Sequence, residues 1–299
     1  MIKVVFPKVV SASRATDIPA WHADWFISRL REGYCEWQNP FDAARRQIAR
    51  FDEIKAFVFW SKNPEPLIPH LPEIADAGAK FYFQFSLNNY ESVGLEPGVP
   101  PLRDRLDAFA KLAKICPVVW RYDPIVAGSG LSVKFHLKNV ASLMERLAPY
   151  TDKLAFSFVD LYKKTAQNFK IFNSLLRAPT AGEIEDFAIG VAELREKLAP
   201  RLRLATCAEP GVDFANLGIE RNSCVDPELV NELCGELVYP PKLSLLGKIY
   251  PKDRGQREAC GCAPAKDIGS YRHLPCRHKC VYCYAGHGKI AWRNRSNEI

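Results

Sequence analysis

Short apolar or β-branched runs alternate along this chain with segments whose apolar residues recur at helical spacing. Six runs predict strands, at residues 8–13, 56–62, 81–87, 118–125, 153–160 and 203–209. Each is largely apolar on both faces, as a strand buried in a parallel sheet must be. The segments between them carry helix signals. Pro19 opens a helix with Trp21, Trp25, Phe26 and Leu30 on one stripe and Gly33 at its end. Thr180 and Glu183 form a capping box ahead of Ile184, Phe187, Val191, Leu194 and Leu198. Asp226-Pro227 starts a shorter helix that stops at Gly235. Strand–helix alternation of this kind predicts right-handed βαβ units on a parallel sheet. Six units suit an open doubly wound sheet or a six-unit partial barrel.

From Tyr239 onward the periodicity is lost, and Pro, Gly and Cys punctuate the sequence. Residues 1–238 therefore read as the α/β core, and residues 239–299 as a cysteine-rich extension that packs on it.

The polar residues concentrate where the strands end. In parallel α/β folds those carboxyl ends carry the active site. Strand one runs into Ser13-Arg14-Ala15-Thr16-Asp17 and strand two into Ser61-Lys62-Asn63. Gln84 lies on strand three, Arg121 and Asp123 end strand four, Asp160 ends strand five and Glu209 ends strand six. Asp or Asn before proline is also ordinary turn chemistry, and Asn63 or Thr16 can cap a helix. A ring of Arg14, Asp17, Lys62, Gln84, Arg121, Asp123, Asp160 and Glu209 suits a charged, oxygen-rich small molecule such as S-adenosylmethionine or a phosphate ester. Arg14, Asp17, Lys62, Arg121, Asp123 and Asp160 are the catalytic candidates. Ser13, Asn63, Gln84 and Glu209, with Tyr282 of the cysteine-rich segment, are candidates for cofactor binding.

Composition narrows the classes. The chain has 299 residues, 47% hydrophobic and 25% charged, as in an ordinary globular protein. No apolar run approaches the ~18 residues of a membrane span, and the start lacks a signal peptide's apolar core. A cytoplasmic protein with no membrane partner is expected. Ten cysteines fall well short of the roughly 8–10% of a disulfide scaffold. In a reducing compartment, clustered cysteines read as metal ligands or redox groups. The net charge of +7 permits a nucleic-acid partner, although the basic residues are dispersed.

Cys276, Cys280 and Cys283 form a C-x3-C-x2-C run within PCRHKCVYCYA. Three thiolates so spaced can hold three irons of a 4Fe–4S cluster and leave the fourth open, whereas most ferredoxin-type clusters take four cysteines. The spacing resembles the cluster loop of radical S-adenosylmethionine enzymes, including an aromatic residue, Tyr282, before the last cysteine. In those enzymes the loop follows the first barrel strand. Here it stands near the other end of the chain. Cys207, Cys224, Cys260 and Cys262 are candidates for a second cluster or a structural zinc. Cys35, Cys116 and Cys234 read as small hydrophobes.

The segments SASRATDIPAWHADWF, FVFWSKNP, YFQFSL, VVWRYDPI, SFVDLYKK, TCAEPG, CGC and CRHKCVYCYA, in this order, resemble an uncharacterised bacterial and archaeal family catalogued as a domain of unknown function. Its C-terminal cysteines have been likened to the radical S-adenosylmethionine cluster. The resemblance implies an iron–sulfur protein with Cys276, Cys280 and Cys283 at the cluster positions, and no established reaction. FWSKNP replaces the Gly-Gly-Glu-type segment that usually follows strand two in radical S-adenosylmethionine enzymes.

Together these readings predict a parallel (β/α)6 partial barrel of the radical S-adenosylmethionine type with a C-terminal cluster-binding extension. Its cofactors would be one or two 4Fe–4S clusters and S-adenosylmethionine. Its partners would be a small-molecule or nucleic-acid substrate and an electron donor such as flavodoxin or ferredoxin. The rival is a zinc- or cluster-stabilised nucleic-acid-binding protein without radical chemistry.

Overall fold

The computed structural model describes residues 2–39, 42–128, 130–207, 213–240 and 260–285. In chain order its elements are β1 (Lys3–Val5), β2 (Val9–Ala12), α1 (Ile18–Trp21), α2 (Ala23–Glu32), β3 (Tyr34–Asn39), β4 (Asp42–Arg50) and β5 (Ala56–Ser61). There follow α3 (Leu71–Asp76), β6 (Lys80–Ser86), α4 (Leu102–Ala113), β7 (Val118–Ile125), α5 (Val133–Leu147), β8 (Lys153–Phe158) and α6 (Lys163–Phe172). Last come α7 (Ala181–Leu198), β9 (Arg203–Thr206), β10 (Ile219–Arg221), α8 (Pro227–Cys234) and β11 (Lys266–Asp267). None of the described helices is long and apolar enough to cross a membrane.

Eight strands form one parallel sheet in the order β11-β2-β5-β6-β7-β8-β9-β10. All six runs picked out by their apolar content lie in it. Apart from β11, added beside β2 at one edge, spatial order follows chain order. A doubly wound sheet reverses its order at a switch point, and this one does not.

The chain divides into two compact units: Met1–Phe85 with Ile115–Val118 and Asn222–Cys276, and Ser86–Lys114 with Val119–Arg221 and Arg277–Ile299. Of the described tail residues, 260–276 fall in the first unit and 277–285 in the second.

In the first unit the core is aromatic. Parallel register sets Phe57 opposite Phe81 and Phe59 opposite Phe83, and the Phe59 and Phe83 rings stack at 4.9 Å. Phe26 of α2 meets both Phe57 and Phe59 edge-on at 5.1 Å, the arrangement that ring quadrupoles favour. The helix expected from Pro19 to Gly33 is broken at His22, whose φ of −139° is not helical. Consequently Phe26 is the fully buried residue of that stripe, with Ile27 buried beside it, while Trp21, Trp25 and Leu30 are only partly covered. Gly33 ends α2 with φ 74°, the left-handed cap that glycine adopts at least cost. A separate three-stranded sheet, β1-β4-β3, went unforeseen. Its β4 reads DAARRQIAR, too polar to signal a strand.

In the second unit α7 starts with the expected capping box between Thr180 and Glu183. Hydrogen bonds from Arg177, and then from the Thr180 backbone, hold the Glu183 carboxyl down at about 2. Phe187 and Val191 of α7 are buried, and Leu198 is exposed. His136 of α5 lies in the core of this unit, where the Tyr122 hydroxyl meets its Nδ1 at 2.9 Å and its Nε2 meets the Val126 carbonyl at 2.8 Å.

Candidate functional site

At the carboxyl ends of β7 and β8 a polar cluster forms inside the second unit. Arg121, 3% exposed, donates to Asp123 Oδ2 through Nε at 3.2 Å and Nη2 at 2.7 Å. A guanidinium buried this far needs a charged partner. The Ser157 hydroxyl donates to Asp123 Oδ1. Arg121 Nη2 also stands 3.6 Å from the Cys207 sulfur, just past β9. Asp160 is exposed and Glu209 lies outside the described residues.

Asn88, fully buried, ties this cluster to the cysteine loop. Its Oδ1 accepts the Asp123 amide at 2.7 Å and its Nδ2 donates to the Asp123 carbonyl at 2.9 Å. The same Nδ2 lies 3.2 Å from Glu96 Oε1 and 3.3 Å from the Tyr282 hydroxyl. Tyr282 in turn donates to Glu96. Burial raises the Tyr282 phenol well above its ordinary range, with the Cys280 and Glu96 charges adding to the shift. The aromatic residue of the cysteine run therefore points inward. Cys280 is buried and Cys283 partly so, and the Cys283 amide closes a turn onto the Cys280 carbonyl at 3.1 Å.

The first unit holds the other candidates, in different surroundings. Asp17, 6% exposed, caps α1 through the Ala20 amide at 3.0 Å. It also accepts the Ser61 hydroxyl at 2.8 Å and the Lys62 amide at 2.7 Å. Asn63 donates its own amide to Ser61 Oγ at 2.9 Å. Ser13 Oγ, 2.7 Å from Asp267 Oδ1, shares that carboxylate with Ser11 Oγ at 3.1 Å and the amides of Arg14 and Gly269, each at 2.8 Å. Arg14 Nε stands 3.8 Å from it. Three donors on Asp17 make it the joint between α1 and the end of β5. Asp17→Ala is expected to cost about 3 kcal/mol, with the lost cap and each of the two stranded donors contributing about 1 kcal/mol. Asp17→Asn, which keeps an acceptor, should cost less than half of that. Chemical denaturation of the two variants checks both.

Gln84 turns its amide to the Cys224 carbonyl at 2.9 Å, where Tyr82 Oη also bonds at 2.7 Å. The Cys224 amide donates to the Cys262 sulfur at 3.0 Å, and Asn222 Nδ2 to the Cys224 sulfur at 3.2 Å. The Cys224 contact pulls the Cys262 thiol down, but its bond to Cys260 and burial outweigh that and leave it raised. The structure thus brings Cys224, Cys260 and Cys262 into one neighbourhood. Cys207 takes Arg121 as its neighbour in the second unit. Cys276 is partly buried and belongs to the first unit. None of the ten cysteines is in a disulfide among the described residues. Among the described residues, no three His, Cys, Asp or Glu side chains are arranged to hold a metal ion. Burial pushes the Cys35 thiol up to about 12 and Cys116 higher still, as befits small hydrophobes. Cys234 is half-buried, its sulfur 3.7 Å from the Lys55 carbonyl.

Asn88, Glu96, Ser157 and Asp267 were not among the sequence candidates. The strand-end rule would have reached Asn88, which stands two residues past the observed end of β6. Asp267 carried no local signal.

These features define a parallel α/β protein with polar strand ends and a cysteine loop bonded to one of them. The chain belongs to a family described as a domain of unknown function (DUF1848), whose model matches residues 9–285. No curated protein matches the chain.

Proposed function

We propose that this protein is a radical S-adenosylmethionine-type iron–sulfur enzyme on a (β/α)6 partial barrel. The observation that carries the reading is the bond network from Tyr282 through Asn88 to Asp123. It attaches the C-x3-C-x2-C loop to a strand end, where parallel α/β folds do their chemistry. Strand order supports the barrel reading: right-handed crossovers between sequential neighbours would put the helices on one face, and a sheet so covered would bury its other face by curling.

By residue type and by their C-x3-C-x2-C spacing along the sequence, Cys276, Cys280 and Cys283 are the residues that would hold a 4Fe–4S cluster. Bound there, it would supply one electron to the sulfonium of S-adenosylmethionine, fed by a small electron-donor protein. The chain's own part is to bind and orient. The Arg121–Asp123 pair, with Ser157, offers a fixed cation and a carboxylate to a zwitterionic ligand. Tyr282 and Val281, both buried, exclude water behind the loop.

Anaerobic reconstitution tests the reading. A brown protein with iron and sulfide in equal amounts is expected, with an EPR spectrum that changes when S-adenosylmethionine is added. Cys280→Ala should lose that spectrum while keeping its far-UV dichroism. A colourless zinc protein, or a spectrum indifferent to the cofactor, would sink the proposal in favour of a structural metal.

A further inference from the structure

Residues 277–283 contain no regular secondary structure, and Lys279 in their midst has φ 55°, a conformation that a lysine does not choose unaided. Their backbone groups must find partners elsewhere. They find them on residues 95–98, about 180 positions earlier in the chain. The Val281 amide donates to the Leu95 carbonyl at 2.9 Å and the Gly98 amide to the His278 carbonyl at 2.9 Å. His278 Nδ1 lies 3.2 Å from the Gly98 carbonyl. Position 98 leaves no room for a side chain: a Cβ there would stand 2.5 Å from the Arg277 carbonyl oxygen and 2.8 Å from that of His278.

Between these backbone bonds sits Glu96, 6% exposed, accepting from Tyr282 and Asn88. A carboxylate buried this deeply is costly unless a charge offsets it. Arg105 of α4, with no exposed surface, supplies that charge with Nη1 3.5 Å from Glu96 Oε2. The Arg105 guanidinium makes no hydrogen bond to a described residue, so it serves Glu96 as a charge. A buried ion pair set against the Tyr282 hydroxyl and the Asn88 amide is a costly arrangement.

We propose that Glu96, with Gly98 beside it, is the positioning element that presets Cys280 and Cys283 before any cluster arrives. The proposal rests on the reading of this loop as the cluster site. Glu96 touches Tyr282, which stands between the two cysteines, and Gly98 fixes the backbone ahead of Cys280. The loop is held as a preformed half of the site, which lowers the ordering cost of binding.

The test uses the full chain without metal, then after anaerobic reconstitution. Iodoacetamide alkylation of Cys280, followed by peptide mass mapping, should run roughly tenfold faster in Glu96→Ala, the factor expected from losing one charge-assisted hydrogen bond. Glu96→Gln, which still accepts from Tyr282, should recover most of the protection. Tyr282→Phe removes the same bond from the loop side and guards against a Glu96 variant that fails to fold. In the reconstituted protein, Glu96→Ala and Gly98→Ala should broaden or shift the EPR spectrum. Equal alkylation rates in wild type, Glu96→Ala and Tyr282→Phe would overturn the positioning role. Faster alkylation in a chain that takes up no iron would leave the clamp standing and remove the cluster reading.

Discussion

Replacing Gly269 by alanine is expected to destabilise the protein by about 3 kcal/mol, more than most overpacking substitutions cost. The reason is the closeness of the tail to the end of β2. A Cβ at position 269 would stand 1.8 Å from Ser13 Oγ, 2.6 Å from Ser13 Cβ and 3.1 Å from the Ala15 Cβ. Rotating the Ser13 hydroxyl away does not relieve the second contact, so backbone must move. Any such movement pulls on Asp267, which pairs in register with Ser11 and gathers the Ser11, Ser13, Arg14 and Gly269 donors. Buried donors left without that carboxylate each carry a desolvation cost of about 1–3 kcal/mol. Urea unfolding monitored by tryptophan fluorescence measures the loss. Ser13→Gly placed in the same chain removes the two nearest of these atoms and should restore at least half of it. An unshifted midpoint in Gly269→Ala would show that the tail does not seat on β2 in solution.

The second large effect concerns pH. His136 is held neutral: both ring nitrogens are engaged, by the Tyr122 hydroxyl and the Val126 carbonyl. Burial lowers its pKa to about 4, against a partial opposing effect of the Val126 carbonyl. An unfolded chain protonates the same ring near 6.5. Between these values the unfolded state binds the extra proton, so stability rises with pH across the window. The contribution is complete above about 6.5, is lost as pH falls towards about 4, and changes no further below that. A gap of roughly 2.5 pH units at about 1.36 kcal/mol each amounts to about 3 kcal/mol. Thermal melts from pH 7.5 to 4 should show the decline, and His136→Gln should flatten it. A wild-type profile that matches that of His136→Gln would mean the ring titrates normally in the fold.

The parallel core was legible because burial on both faces leaves a direct mark on composition. A run such as AFVFWS has no polar face to offer water, and in KFYFQFS the face that carries Tyr82 and Gln84 is buried all the same; both are central strands. The ends of elements were legible where a local residue closes them, by its side chain at Thr180 and Asp226 and by its left-handed backbone at Gly33. The small sheet was not legible. Its β4 strand is held by pairing with β1 and β3 rather than by an apolar face of its own. A two-residue strand such as β11 has too few side chains to leave a pattern, and only its partner β2 makes it one.

Among the candidate residues the division follows the same physics. The sequence by itself determined which residue types stand at the strand ends and which cysteines share the C-x3-C-x2-C spacing, because both are properties of neighbours along the chain. Only the tertiary structure decided their duties. Asp17 and Ser13 have buried donors and acceptors to satisfy locally, and that fixes them as joints. Arg121 and Asp123 face each other at one strand end with Cys207 and Ser157 alongside. Glu96, Arg105 and Asn88 carry no motif and lie far from the cysteine loop in sequence. They matter because a buried charge has to be neutralised and a loop without regular structure has to borrow its hydrogen bonds. Those requirements are met across space, where sequence spacing says nothing.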